Sequence, residues 1–123
     1  MLQHTGGFAR ERRLKGPSEY QQIFRAPCRS TDEMFLVIAR KNGLNYARLG
    51  LAISKKWVKQ AVVRNRLKRL ARESFRRNQQ LLSGMDVVVM TNKRPGPLIN
   101  KAINDSLQRH WQRLVTCKNS SLV

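Results

Sequence analysis

Arg64, Asn65, Arg66, Lys68, Arg69, Arg72 and Arg76 crowd into one short stretch, and what such residues do best is grip phosphate. Guanidinium forks match phosphate oxygens two at a time, and an Asn adds a neutral donor and acceptor. Read as a helix at ~100° per residue, Val63, Leu67, Leu70, Ala71 and Ser74 fall on one face. Asn65, Lys68, Arg69, Arg72 and Arg76 fall on the opposite one, with Arg64 and Arg66 at the borders. Like charges at i,i+4 repel by a few tenths of a kcal/mol per pair, and only Glu73 offsets them here. A polyanion is the partner that makes such a helix favourable.

The side chains needed for other chemistries are present but dispersed. A metal-dependent nuclease needs clustered carboxylates, whereas Glu11, Glu19, Asp32, Glu33, Glu73, Asp86 and Asp105 lie on different segments. Only Asp32 and Glu33 adjoin, in a loop. The histidines are His4, near the start, and His110, which reads as a core or rim residue of the last helix. No Cys/His set has zinc spacing, and no Gly-rich phosphate loop is present. Cys28 and Cys117 read as two separate reduced thiols. The chain is therefore expected to bind a nucleic acid and to leave the reaction to its partner.

Composition agrees. With 25 Lys plus Arg against 7 Asp plus Glu, the net charge over 123 residues is +18. That balance favours phosphate polymers through counterion release, while 41% hydrophobic residues suit a folded domain. No apolar run approaches the ~20 residues of a membrane-spanning helix. The first residues lack the apolar centre of a signal peptide, so a cytoplasmic location is expected, with no membrane partner.

The elements that must position the basic helix follow in order. Residues 1–16 read as a flexible basic arm, 17–117 as a single RNA-binding domain, and 118–123 as a frayed tail. A short first helix starts at Ser18 as N-cap, with Gln21 as its capping-box partner, and stops at Pro27. Tyr20, Ile23 and Phe24 share one of its faces. Ile23 reads as core, and Tyr20 and Phe24 either join it or form a stacking rim for unpaired bases. Residues 28–33 read as a polar connection, Met34–Arg40 as a strand, and Asn42-Gly43 as the start of a hairpin-type loop into a second strand, Tyr46–Ile53. Lys55 and Lys56 oppose the dipole of the helix they precede, a local cost that phosphate would offset. The basic helix is expected from about Val58 to Asn78, a buried strand over Asp86–Thr91, and a turn at Pro95-Gly96-Pro97. A last amphipathic helix carries Ile99, Ala102, Ile103, Leu107, Trp111 and Leu114. The order is α-β-β-α-β-α, an α+β sandwich, and the middle β-α-β is long enough to join parallel strands.

Two blocks at fixed spacing carry a resemblance. Arg48-x-Gly50-Leu51-x-Ile53-Ser54-Lys55-Lys56 is followed by Ala61-Val62-x-Arg64-Asn65-Arg66-Leu67-Lys68-Arg69, and together they resemble the signature of the bacterial ribonuclease P protein component. The likeness extends through Arg13-Leu14, the strand at Asp86 and the final helix. It implies a fold like the second domain of ribosomal protein S5, with a left-handed β-α-β crossover in place of the usual right-handed one. It also implies a small protein that joins a catalytic RNA to remove the 5′ leader of precursor tRNA, with Mg²⁺ held mainly by the RNA and no obligatory protein partner. Carried over by position, Arg64, Asn65, Arg66, Lys68, Arg69 and Arg72 would contact the catalytic RNA. Tyr20, Phe24, Ile38, Arg48, Lys55, Lys56, Lys93 and Arg94 would contact the leader and precursor tRNA. Ile38 stands where some members have an aromatic, so apolar contact replaces stacking there.

Three other readings compete. A merely solvated basic surface does not account for the cation excess and the two-block spacing. A structural ribosomal RNA-binding protein would share charge and size but would not need the Arg-Asn-Arg core. An autonomous nuclease would have to cleave RNA when stripped of all RNA.

Overall fold

The computed structural model describes residues 13–14 and 28–118. Strands β1 (Cys28–Thr31), β2 (Phe35–Lys41) and β3 (Arg48–Ala52) precede helix α1 (Ala61–Arg77). Strand β4 (Met85–Thr91) and helix α2 (Asn100–Lys118) complete the described order. The architecture is α+β: one four-stranded mixed sheet in the order β1-β2-β4-β3, with both helices against one face. The expected first helix, with Tyr20 and Phe24, lies outside the described residues, as does 119–123.

Alternation sorts the sheet residues between two faces. Phe35, Val37, Ala39, Leu49, Met85, Val87 and Val89 point towards the helices and pack with Leu67, Leu70, Phe75, Ile103, Leu107, Trp111 and Leu114. The periodicity reading holds for α1, where Leu67, Leu70, Ala71, Ser74 and Phe75 are buried. Ser74 sits on this apolar face because its hydroxyl accepts the Trp111 indole N–H at 2.8 Å. Phe75 and Trp111 meet edge to face, ring centroids 6.0 Å apart. His110 and Trp111 are both buried, as a core assignment requires. Ile99, by contrast, precedes α2 and is exposed.

The expected hairpin between the second and third strands does not form. β4 inserts between them, antiparallel to β2 and parallel to β3, so α1 is the crossover joining two parallel neighbours. The 42–47 connection therefore crosses the end of β4. Asn42 N–H donates to Gly84 O at 2.9 Å, and both Gly43 and Gly84 take positive φ there. The stretch read as a polar connection holds β1, whose Cys28–Thr31 pair with Ala39–Leu36. Four residues, three of them polar, give too short an alternation to declare a strand.

The cysteines are a further correction. Cys28 on β1 and Cys117 near the end of α2 are joined as a disulfide with Cα atoms 6.0 Å apart, because the last turns of α2 pass beside β1. Leu14 is buried, its N–H donates to Leu49 O at 3.0 Å, and Arg13 bridges Leu49 in parallel sense.

A polar knot ties β1 and the β1–β2 turn to α2. Asp32 Oδ1 accepts the Met34 and Phe35 N–H groups, and Oδ2 accepts Ser106 Oγ–H at 2.6 Å and Arg109 at 3.1 Å. His110 Nδ1 lies 2.6 Å from Ser30 Oγ. Its Nε2 is 3.1 Å from Asp32 Oδ1, though not aligned as a hydrogen bond. Burial alone would raise the Asp32 pKa, but the Ser106 and backbone N–H donors outweigh it and hold the carboxyl well below the ordinary 3.8. Burial pushes the His110 pKa below 6.5, outweighing the attraction of Asp32. In both cases the unfolded chain takes up a proton that the folded chain resists, so acid favours unfolding. Stability should begin to fall below about pH 6.5 through His110 and more steeply below about pH 4 through Asp32. Urea midpoints measured from pH 8 to pH 3 check this, and a flat profile down to pH 4 would remove His110 from the account.

Candidate nucleic-acid interface

The basic face of α1 emerges as expected. Asn65, Arg69, Arg72 and Arg76 are exposed and Lys68 is half-buried, all on the side away from the core. The first turn of this helix has no acidic residue and no side-chain N-cap bond from Gln60, which leaves its positive end uncompensated. Arg64 and Arg66 behave differently from their neighbours. Arg64 Nη1 donates to the carbonyls of Val58 and Lys59 at 2.9 and 2.8 Å, closing the turn before the helix. Arg66 reaches the other way, to Leu98 O at 2.7 Å and Asn100 Oδ1 at 3.0 Å, and so ties α1 to the start of α2. The two border arginines thus fix the helix between its flanking segments. Each keeps further N–H groups for an external acceptor.

Lys68 and Arg72 also face a cavity of about 170 Å³ between α1 and the edge of β3, whose other walls are Arg13, Leu14, Leu49, Gly50 and Leu51. The described part of the arm therefore supplies one wall, and its basic side chain joins two cations from the helix.

The opposite face of the sheet, free of α1 and α2, carries a second set. Its apolar part is Leu14, Ile38 and Val88, with Leu36, Ala52 and Met90 partly buried beside them. Ile38 is only 2% exposed and packs within this apolar set. Arg48 is engaged within the fold. The strand register aligns Arg40, Asp86 and Arg48 in one row. Arg48 donates to Asp86 Oδ1 and Oδ2 at 2.8 and 2.7 Å, and Arg40 donates to Oδ2 at 3.0 Å. Asn42 adds a bond to Oδ1 at 3.0 Å. Burial would raise the Asp86 pKa, but the bonds from Arg48, Asn42 and Arg40 lower it overall. Arg48 is first of all the counter-ion of a fully buried carboxylate. Its partner is 38 residues away in sequence, so no local pattern announces it.

Lys55, Lys56, Lys93 and Arg94 are brought together at one end of the sheet, and all are exposed. Both pairs follow the C-terminal ends of parallel neighbours, and Ser54 N–H donates to Thr91 Oγ1 at 3.2 Å to join the two loops. Arg94 takes a positive φ of 49°. Arg48 starts β3 and so lies at the far end of the strand from this group. One aromatic that the sequence reading passed over stands here as well: Trp57, with Lys56 Nζ 5.2 Å from its ring centroid. Its signal was an aromatic directly following two lysines.

The two buried carboxylates, Asp32 and Asp86, already have their oxygens occupied by arginine, amide, hydroxyl or backbone donors. Such a donor set does not fit a protein-held Mg²⁺, and among the described residues no three His, Cys, Asp or Glu side chains group as a metal site would need. No helix among these residues is long and apolar enough to cross a membrane.

Comparison with known proteins points one way. The family model described as Ribonuclease P matches residues 8–115. The chain is similar to the ribonuclease P protein component of Pseudomonas entomophila, 44% identical over 117 residues, covering 94% of this chain and 88% of that protein. It is similar to the component of Vibrio parahaemolyticus, 47% identical over 111 residues, covering 90% of this chain and 94% of the relative. Among solved structures it resembles the RNase P protein of Staphylococcus aureus, with TM-score 0.75 and 26% identity over 82% of this chain and 93% of that one. It also resembles that of Thermotoga maritima, with TM-score 0.59 and 33% identity over 86% and 92% of the two chains.

Proposed function

The chain belongs to the ribonuclease P protein family, and from that premise we propose how it works as the protein component of this tRNA-processing ribonucleoprotein. The basic face of α1 seats the catalytic RNA, and a second surface receives the 5′ leader of precursor tRNA. The observation that carries the first part is the helix face of Asn65, Lys68, Arg69 and Arg72, for which the described residues provide no counter-charge beyond the half-buried Glu73. Lys68, Arg69 and Arg72 neutralise RNA phosphates. Arg64 and Arg66 hold the helix at a fixed angle to its neighbours while offering their remaining N–H groups. Asn65 adds a neutral hydrogen-bonding group among the cations.

The leader lies along the sheet face opposite α1 and α2. Lys55, Lys56, Lys93 and Arg94 draw in its phosphates at one end, and Tyr20 and Phe24 supply stacking from the preceding segment. Arg48 supports this face by fixing Asp86, and Ile38 supports it from beneath. The cleavage reaction belongs to the catalytic RNA, which also holds the Mg²⁺. The protein binds and orients the substrate, and its two buried carboxylates serve the fold. The parallel β3–α1–β4 unit takes the left-handed crossover of the second domain of ribosomal protein S5, and the particle works in the cytoplasm. Sequence likeness to ribonuclease P proteins over most of the chain favours this reading over a structural ribosomal protein.

The test is cleavage of a precursor tRNA by the cognate RNA at low Mg²⁺, with and without the protein. We expect cleavage to depend on the protein there, and the protein freed of RNA to cleave nothing. Cleavage by the protein alone, or RNA-only rates unchanged by its addition, would overturn the division of labour.

A further inference from the structure

Among the described residues, Trp57 is a large aromatic that the two apolar clusters leave out. The other tryptophan, Trp111, is fully buried and hydrogen-bonded to Ser74. Trp57 is only half-buried and belongs to neither apolar cluster, although the adjacent Val58 is part of the helix-side core. An indole surface held partly in water forgoes burial that would otherwise stabilise the fold.

The turn that carries Trp57 is rigidly built. Val58 N–H donates to Ser54 O at 2.9 Å and Lys56 N–H to Ser54 Oγ at 3.1 Å. The Ser54 bond to Thr91 anchors the turn to β4, and Arg64 closes it from the helix side. The ring is thus offered from a fixed position. Its surroundings are cationic: Lys55, Lys56 and Lys59 are exposed, and Lys56 Nζ lies over the ring. Lys93 and Arg94 follow the end of β4, the strand to which Ser54 of this turn is bonded. An exposed cation over an indole is a weak contact, and a stacked base replaces it favourably while the freed lysine takes the flanking phosphate.

We propose that Trp57 is a stacking platform for one unpaired RNA nucleotide, with Lys55 and Lys56 on the phosphates at either side. The proposal rests on the RNA-binding function above and adds a contact that it does not contain. The nucleotide comes either from the leader of the precursor or from an unpaired segment of the catalytic RNA, since both offer the same chemistry.

The full-length chain carries its own reporter. Trp111 is sealed in the core, so a surface ligand should alter only the Trp57 emission. Titration with a short single-stranded oligoribonucleotide should quench that emission, and a duplex of equal length should not. Trp57→Ala should abolish the quenching and weaken single-strand binding roughly tenfold, the scale of one lost base stack. Trp57→Phe should keep most of the affinity. Comparing Trp57→Ala on precursor tRNA with and without its leader, and on the catalytic RNA alone, assigns the nucleotide to whichever RNA suffers the loss. Single strands that bind with Trp57 emission unchanged, or that bind Trp57→Ala as well as the parent, overturn the stacking site and leave the RNA-binding function intact. Failure of every RNA to bind overturns both.

Discussion

Replacing Asp86 with Ala is expected to cost about 3 kcal/mol of folding stability, towards the lower end of what a broken buried ion pair costs. The carboxylate is inaccessible, and it sits between two arginines that the strand register places directly beside it. Without it, Arg40 and Arg48 would face each other across β4 with no shared anion, and Asn42 would lose an acceptor. Their side chains remain 26% and 19% exposed, so water softens the loss, which is why the upper end of the range is not expected. Asp86→Asn keeps the shape and some of the hydrogen bonds and should fall between the two. A urea titration measures this directly: the midpoint should drop while the slope stays the same. A loss under about 1 kcal/mol would mean that both arginines find water and that the row is not structural.

The second large effect is on RNA affinity. Converting Lys68, Arg69 and Arg72 together to Ala should lower the slope of log K against log salt for the catalytic RNA by about 2–3, close to one per phosphate contact. Affinity at moderate salt should fall by roughly one to two orders of magnitude. Folding stability should hold or rise, because none of the three joins an ion pair among the described residues and their mutual repulsion is relieved. Arg64→Ala and Arg66→Ala make a useful contrast. They should reduce both RNA affinity and thermal stability, since each also removes bonds that secure α1 to its flanking segments. A triple variant with an unchanged slope would show that this face does not lie against phosphates.

How far the structure could be read from the sequence depends on the range of the interaction. Helix α1 and its two faces follow from 3.6-residue periodicity, because a helix is closed by bonds between near neighbours. The place of β4 does not. Asn42-Gly43 has the local chemistry of a hairpin, yet the strands on either side of it are separated by one that arrives more than 30 residues after β3. Arg48 shows the same limit at the level of a site. Its type and position fit a phosphate contact, but its bond to a carboxylate 38 residues away is invisible to any local pattern. Ile38 was legible as a strand residue, but its depth depends on Leu14 and Val88 meeting it. The exposed cations at Lys55, Lys56, Lys93 and Arg94 were the easier part, since charge alone keeps such side chains at the surface.

The seating of Leu14 on β3 has a consequence for solubility. A terminal strand with open amides and carbonyls is a template on which a second copy can grow, and proteins commonly blunt such borders. Here the chain's own leading segment occupies part of that border through the bond to Leu49, and a basic residue sits next to it at Arg13. Trimming the chain past residue 14 would bare the margin of the sheet and invite self-association, independently of any loss of RNA contacts.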